Sequence, residues 1–377
     1  MRAALPFALL LSAMFAAIGT TMPFFPPFLA AAGLSPQGIA AVLFAGSLAR
    51  LISGPILGRV ADIHGIRRVL ALCALLAAGF QAGFGLLAPG PAGLLFTLMA
   101  LQLFYSAAVA PVIPLSESLT VGAARSGAFD YGRVRSVGSF AFILASILAG
   151  WLVQRFGIGV IPWIVAAALL VASGATLMLP AGAARSGRQR GSLLAPLAIP
   201  VFRRLLLLSA LIQGSHAAAY SFGAIHWAAA GHSPTVIGLL WAEGVVVEIV
   251  LFLFAKPVAA RLGWRGLSTL AAAAGLVRWA IMAETTWLPA LVFSQALHAL
   301  TFGAQHLVAM RVLSEAIPAN EAGAAQTLHA SLGTGLAIML LTLLSGQLYA
   351  EWGGAVFWAM WAICVPALLL ARGLSVR

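Results

Sequence analysis

Charge is what this chain has least of. Only 8% of its 377 residues are Asp, Glu, Lys or Arg, and only nine are acidic, where an ordinary soluble domain carries about 25% charged residues. Residues 3–49 and 69–116 hold no charged side chain at all. With 62% of the residues hydrophobic, a soluble protein could not cover its own surface, whereas a spanning helix needs about 20 apolar residues. The uncharged runs are therefore read as membrane spans, with the lipid bilayer as the first partner. Cysteine is nearly absent too. Cys73 and Cys364 sit in apolar runs without ligand-spaced neighbours, which excludes a disulfide framework and leaves no metal site to expect. No G-x-x-x-x-G-K-[ST] loop occurs, so ATP-driven work is disfavoured. No nucleophile–base pair stands out, so neither an enzyme nor a cofactor is expected. No loop is large enough for the signalling domain of a membrane receptor.

What is present is a basic excess, a net charge of +12. Its distribution argues against nucleic acid: Arg67 with Arg68, or Arg203 with Arg204, stand in short groups between apolar runs, the pattern of topology signals. Met1, Arg2 and the apolar run behind them resemble a signal peptide, but the run continues to Ala32, so a first spanning helix is the better reading. Loop signals divide the chain into twelve spans near 4–31, 36–58, 68–88, 93–119, 132–154, 158–180, 204–230, 234–257, 266–285, 288–313, 321–350 and 353–371. With the N-terminus inside, seventeen of the 21 Lys and Arg residues lie in or beside cytoplasmic segments and only Arg155 lies outside. That bias, and the even number of spans, puts both termini in the cytoplasm. The expected fold is all-α, two pseudo-symmetric six-helix bundles over residues 1–180 and 204–377, joined by a cytoplasmic linker at 181–203. A weak echo supports it: Gly65-Ile66-Arg67 follows the second span and Gly263-Trp264-Arg265 follows the eighth, 198 residues later. Two complete halves make a monomer sufficient.

GRVADIHGIRR, residues 58–68, resembles the signature loop of the major facilitator superfamily, which runs Gly, three residues, Asp, two residues, Gly and paired basic residues. Gly58, Asp62, Gly65, Arg67 and Arg68 match it. The resemblance implies a twelve-helix fold with a site between halves near the membrane midplane, and a conformational latch formed by these five residues. The basic residue usual after the Asp is replaced by Ile63.

Ionisable side chains inside a membrane cost about 2.5–3.5 kcal/mol each on insertion scales, and are functional candidates for that reason. Arg50, Glu117, Arg135, Glu243, Glu248, Arg278 and His298 fall in expected spans, with His216, His226, His306 and His329 as further candidates. The hairpin at 120–131 can bring Glu117 beside Arg133 or Arg135, either as a strut between two helices or as a working pair. This hairpin, with FDYGRVRSVG, resembles that of the oligosaccharide–proton symporters, lactose permease among them, where a carboxylate and an arginine eighteen residues apart hold the sugar; Glu117 and Arg135 match. Arg278 and His298, twenty residues apart, match an arginine and a histidine of the same family. The family's proton-carrying glutamate three residues after the histidine is replaced here by Thr301, which cannot titrate.

Glu243 and Glu248 in WAEGVVVEIV are the replacement candidates for proton coupling, with His298. Five residues turn a helix by a net ~140°, so the two face differently, and both could instead make only interhelical ion pairs. These stretches together look closest to the phenylpropionate permease branch. That resemblance implies proton-coupled import of a small aromatic acid such as 3-phenylpropionate across a bacterial cytoplasmic (inner) membrane. An aromatic carboxylate would suit Arg278 beside Trp279; Trp279, Phe302 and Trp241 are equally read as packing residues, and the histidines of the seventh and eleventh spans as hydrogen-bonding groups. The alternatives are a proton-coupled exporter of hydrophobic compounds or a sugar or nucleoside symporter. Pro23, Pro26, Pro27, Pro111 and Pro114 are expected to interrupt the first and fourth spans.

Overall fold

The computed structural model describes residues 3–87, 93–179, 193–318 and 320–374, and every regular element among them is helical. In chain order they are α1 (Leu5–Ala31), α2 (Pro36–His64), α3 (Ile66–Gly85), α4 (Leu94–Val109), α5 (Val112–Arg125), α6 (Tyr131–Phe156), α7 (Ile161–Leu177), α8 (Pro200–Gly214), α9 (Ala224–Ala229), α10 (Pro234–Leu253), α11 (Ala255–Glu284), α12 (Leu288–Ala296), α13 (Gln305–Glu315), α14 (Ala322–Leu328), α15 (Leu336–Trp352) and α16 (Val356–Ala371). Ten helical segments among the described residues are long and apolar enough to cross a membrane. The last of these, Ala322–Ala371, has 50 residues. At ~1.5 Å per residue it is more than twice the ~30 Å hydrocarbon thickness, and it reverses at Gly353, where φ is +55°. With Leu288–Glu315, the arrangement is consistent with twelve spans in an integral membrane protein.

The sixteen helices outnumber the spans because several spans are broken. The fourth breaks between α4 and α5 at Ala110–Pro111, as its proline implied. The first does not. α1 runs unbroken through Pro23, Pro26 and Pro27, which corrects the expected interruption. Proline has no N–H to give to the carbonyl four residues back, so Pro23 leaves the Gly19 carbonyl free. The Ser146 hydroxyl of α6 donates to that carbonyl at 2.9 Å. Gly19 permits the approach, since a Cβ there would lie 2.5 Å from the Phe142 carbonyl oxygen.

Three breaks had no proline to announce them. Wide π-turns occupy Ala219–Gly223 between α8 and α9, Ala299–Ala304 between α12 and α13, and His329–Gly335 between α14 and α15.

The chain divides into two compact units, Met1–Ser186 with Gly231–Ala242, and Gly187–Ala230 with Glu243–Arg377. Residues 181–192 of the expected linker lie outside the described residues; past them Ala195–Ala198 form a 3-10 turn and α8 starts at Pro200. The start of α10, expected with the C-terminal half, packs with the first unit. Small residues explain why: a Cβ on Gly238 would lie 2.3 Å from the Ser146 carbonyl oxygen and one on Gly150 2.5 Å from that of Pro234, so α6 and α10 meet backbone to backbone. In the first unit Leu10, Leu11, Leu70, Ala74 and Leu115 centre a core, and in the second Phe202, Leu208, Leu267, Ala271 and Val308 do. Large apolar side chains such as Leu72, Leu76, Leu148 and Leu170 point outward, as a lipid solvent requires.

The 198-residue echo is wider in the structure than in the three residues first noticed. Gly33 and Gly231 have φ of +94° and +93°. Ser35 and Ser233 each accept a bond from the N–H three residues on, opening α2 and α10 at Pro36 and Pro234. Gly65 and Gly263 turn with φ of +92° and +60°. Arg67 then donates to the Leu177 carbonyl at the end of α7, and Arg265 donates to the Leu374 carbonyl beyond α16. Arg67 thus satisfies a carbonyl orphaned at the C-terminus of α7, where a cation is also favoured by the helix dipole, and Arg265 satisfies one just past the end of α16.

Candidate functional site

In the first unit, α5 carries Glu117 and α6 carries Arg135, and Asp130 caps α6 by accepting from the Arg133 N–H. Arg133 is thereby placed in the first turn, and Arg135 reaches the carboxylate: its Nε lies 2.8 Å from Glu117 Oε1. The Tyr131 hydroxyl donates to the other oxygen at 2.6 Å. Behind Arg135 the Phe15 ring of α1 faces the guanidinium, 4.3 Å from its carbon. Gly138, one turn along α6, makes room for that ring, since a Cβ would meet it at 2.7 Å. Arg135 and Glu117 side chains are 34% and 23% exposed, so the pair faces an accessible space with its charges already cancelled.

The second unit gathers the other candidates. Arg278 of α11 is 2% exposed. Its Nη1 donates to Thr301 Oγ1 at 3.0 Å and lies 3.1 Å from His298 Nδ1, and its Nη2 donates to Gln295 Oε1 at 2.9 Å. Its Nε has no partner. Among the ion pairs seen in the described residues, Arg135–Glu117, His298–Glu248 and Arg311–Glu315, none includes Arg278. Arg278 is thus a cation taken out of water with the Glu248 carboxylate held off behind His298, an arrangement that an arriving anion would stabilise. Trp279 has no exposed surface. It stacks on Phe357, donates from its indole to Ser215 Oγ at 3.0 Å, and offers its ring face to the Arg278 guanidinium at 4.6 Å. In this conformation it backs the arginine.

His298 Nε2 lies 3.8 Å from Glu248 Oε2. Gly303 lets α10 come close, since a Cβ there would stand 3.3 Å from Glu248 Cγ. Glu243 makes no hydrogen bond or ion pair among the described residues. Of the latch residues, Gly65 makes the turn and Arg67 is spent on Leu177 within its own unit; Asp62 and Arg68 are exposed and Gly58 has open space around it.

Sequence reasoning overlooked Gln295 and Tyr131 as partners in these clusters, and it named His216 only as a further candidate and Thr301 only as a group that cannot titrate. His216 is fully buried. Its Nδ1 lies 3.0 Å from the Ile212 carbonyl and its Nε2 3.0 Å from Thr301 Oγ1. A signal for it existed: histidines 216, 298 and 329 each open a His-Ala stretch ending in glycine, and each stands at or just before one of the three π-turns. Such turns recur at functional sites because they re-aim side chains and leave backbone groups for them. His329 Nε2 lies 2.9 Å from Ser209 Oγ, which accepts from Gln305.

The MFS_1 like family model matches residues 6–360. An Escherichia coli (strain K12) protein named "Probable 3-phenylpropionic acid transporter" is 35% identical over 94% of each chain. The maltose permease of Geobacillus stearothermophilus is 27% identical over 95% of this chain and 92% of its own. Among solved structures, nucleoside transporter NupG superposes with a TM-score of 0.81 at 19% identity over 99% of this chain and 98% of its own. A D-xylose-proton symporter does so at 0.72 and 17%, over 100% and 97%. Helices of membrane-spanning length, paired units with a 198-residue internal echo and these similarities agree: the chain belongs to the MFS_1-like family and is a secondary transporter of the major facilitator fold.

Proposed function

We propose that this protein imports a small aromatic monocarboxylate, 3-phenylpropionate or a close analogue, together with a proton, across a bacterial inner membrane. The observation that carries this reading is the buried Arg278, which has no direct carboxylate partner among the described residues. Arg135 already has Glu117, whereas Arg278 is a buried cation with no direct carboxylate partner among the described residues, and a substrate carboxylate is the anion that offsets it. Guanidinium and carboxylate match as a planar donor–acceptor pair. The 35% identity to a protein named for 3-phenylpropionic acid supports the same substrate class.

The proton has a physical reason. An anion entering a cell works against the membrane potential by about 2.3 kcal/mol per 100 mV, and one accompanying proton cancels that charge. Glu248 is the group assigned to carry it, with His298 between it and Arg278, and Glu243 as the reserve candidate. Glu117 and Arg135, held by Tyr131, contribute polar contacts from the first unit, and Trp279 keeps Arg278 in place. Gly58, Asp62, Gly65, Arg67 and Arg68 form the cytoplasmic turn that steadies the first unit as the protein alternates. The bundles at 1–180 and 204–377, joined through 181–203, work as one monomer with both termini cytoplasmic. Transport without chemical conversion of the substrate completes the reading.

Uptake of labelled 3-phenylpropionate into proteoliposomes tests it. An inside-alkaline gradient is expected to drive accumulation, insensitive to an imposed potential and lost in Arg278→Gln. Accumulation in the variant would remove Arg278 from the site, and outward movement driven by the gradient would favour an exporter. The maltose permease relative and the Glu117–Arg135 pair support a second reading, sugar symport. Gradient-driven uptake of maltose with none of the acid would favour it.

A further inference from the structure

Two histidines and a threonine around Arg278 make hydrogen bonds whose directions can be assigned by elimination. Carbonyl oxygens only accept and guanidinium groups only donate. His216 Nδ1 faces the carbonyls of Ile212 and Gln213 at 3.0 and 3.2 Å, so Nδ1 carries the hydrogen. In a neutral ring its Nε2 is then an acceptor, and the partner at 3.0 Å, the Thr301 hydroxyl, is the donor. The same hydroxyl oxygen accepts from Arg278 Nη1 at 3.0 Å. His298 obeys the opposite assignment. Its Nδ1 faces Arg278 Nη1 at 3.1 Å, so Nδ1 accepts and the hydrogen sits on Nε2, toward Glu248 at 3.8 Å.

We infer that His216 is a positioning residue for Arg278, acting through the hydroxyl of Thr301. With His216 neutral, Thr301 donates to the imidazole and the chain Arg278 to Thr301 to His216 to Ile212 runs with every bond made.

Around His216 stand Arg278 from α11, His298 from the α12–α13 span, and Tyr220 one turn on in its own span. Glu248 of α10 lies beyond His298, and Cys364 of α16 lies near Gly275, beyond Trp279. None of these is a carboxylate in contact with the ring. The geometry gives Thr301 the task of joining the His216 imidazole to the Arg278 guanidinium. This proposal builds on the reading of Arg278 as the anion site, but the assigned hydrogen positions do not depend on any substrate.

Nitrogen-15 NMR of histidine-labelled protein in lipid nanodiscs tests the hydrogen positions without transport. A neutral Nδ1–H signal is expected to vanish in His216→Gln, and a neutral Nε2–H signal in His298→Gln. In Thr301→Val the His216 Nε2 resonance should move, while Thr301→Ser should keep it in place. An Nε2–H tautomer at His216, or a His216 signal indifferent to Thr301→Val, would overturn the proposal. In proteoliposomes taking up labelled 3-phenylpropionate, Thr301→Val should raise KM about tenfold, the loss expected for one bond to a charged group, with Thr301→Ser within about twofold of wild type. His216→Phe should act alike, and the double variant no worse than either, because both act through one chain. Additive losses would overturn the coupling. Correct tautomers with no uptake by any form, wild type included, would sink the substrate reading and leave the proposal standing.

Discussion

Replacing Arg278 with methionine separates a residue kept for function from one kept for stability. The change removes a cation and keeps most of the side-chain volume. It forfeits three hydrogen bonds, to His298, Thr301 and Gln295, each worth about 1.5–3 kcal/mol when the donor is charged. It also removes a guanidinium that is 2% exposed with no carboxylate beside it, a desolvation term of several kcal/mol in the opposite direction. The two are of similar size, so the net change in unfolding free energy should stay within about 2 kcal/mol, instead of the 3–5 kcal/mol typical when one partner of a buried ion pair is deleted. Ligand response should change far more. A ligand at a hundred times its Kd stabilises the folded state by about 2.7 kcal/mol, and Arg278→Met should lose that increment. The assay is unfolding by SDS in mixed micelles, with and without 3-phenylpropionate. A variant destabilised by 4 kcal/mol or more that still gained full stabilisation from the ligand would make Arg278 a strut and refute the reasoning.

The Glu117–Arg135 pair is partly exposed, so its mutual attraction in a double-mutant cycle with Glu117→Gln and Arg135→Gln should be about 1 kcal/mol in SDS unfolding. If the pair is only a strut, the double variant should recover transport; uptake that stays lost in the double variant places the pair in the working site. Gly19→Val should destabilise the first unit by roughly 1–3 kcal/mol, because its Cβ would press on the Phe142 backbone, and a variant of wild-type stability would show that α1 and α6 can separate freely.

Much of the fold was legible because the solvent leaves so few choices. A backbone in hydrocarbon must satisfy its own polar groups, so an uncharged run of sufficient length becomes a helix, and the expected 4–31, 132–154 and 353–371 lie within a few residues of observed helical segments. Glycine turns were legible for a local reason as well: Gly65 and Gly263 adopt φ values that side chains with a Cβ avoid. The candidate site was legible only in its charged members. Charge within an apolar run marks Glu117, Arg135, Arg278, Glu248 and His298 as exceptional whatever their neighbours. Gln295 and Ser215 are ordinary letters that the sequence offered no ground for choosing, and Thr301 stood out only for what it replaces, not for the bonds it makes.

The amino-acid sequence by itself determined that this protein spans a membrane, that it has two related halves, and which ionisable groups fall within apolar runs, because each follows from local composition and the expense of charge in lipid. Only the tertiary structure decided which partners those groups have. Proline 23 does not break its helix, because Ser146 lies 123 positions further along the chain and supplies the missing donor. Arg135 is neutralised and Arg278 is not, because one faces a carboxylate across a short hairpin and the other faces Thr301, His298 and Gln295. Hydrogen bonds act over about 3 Å, so they are settled by where helices distant in sequence come to rest.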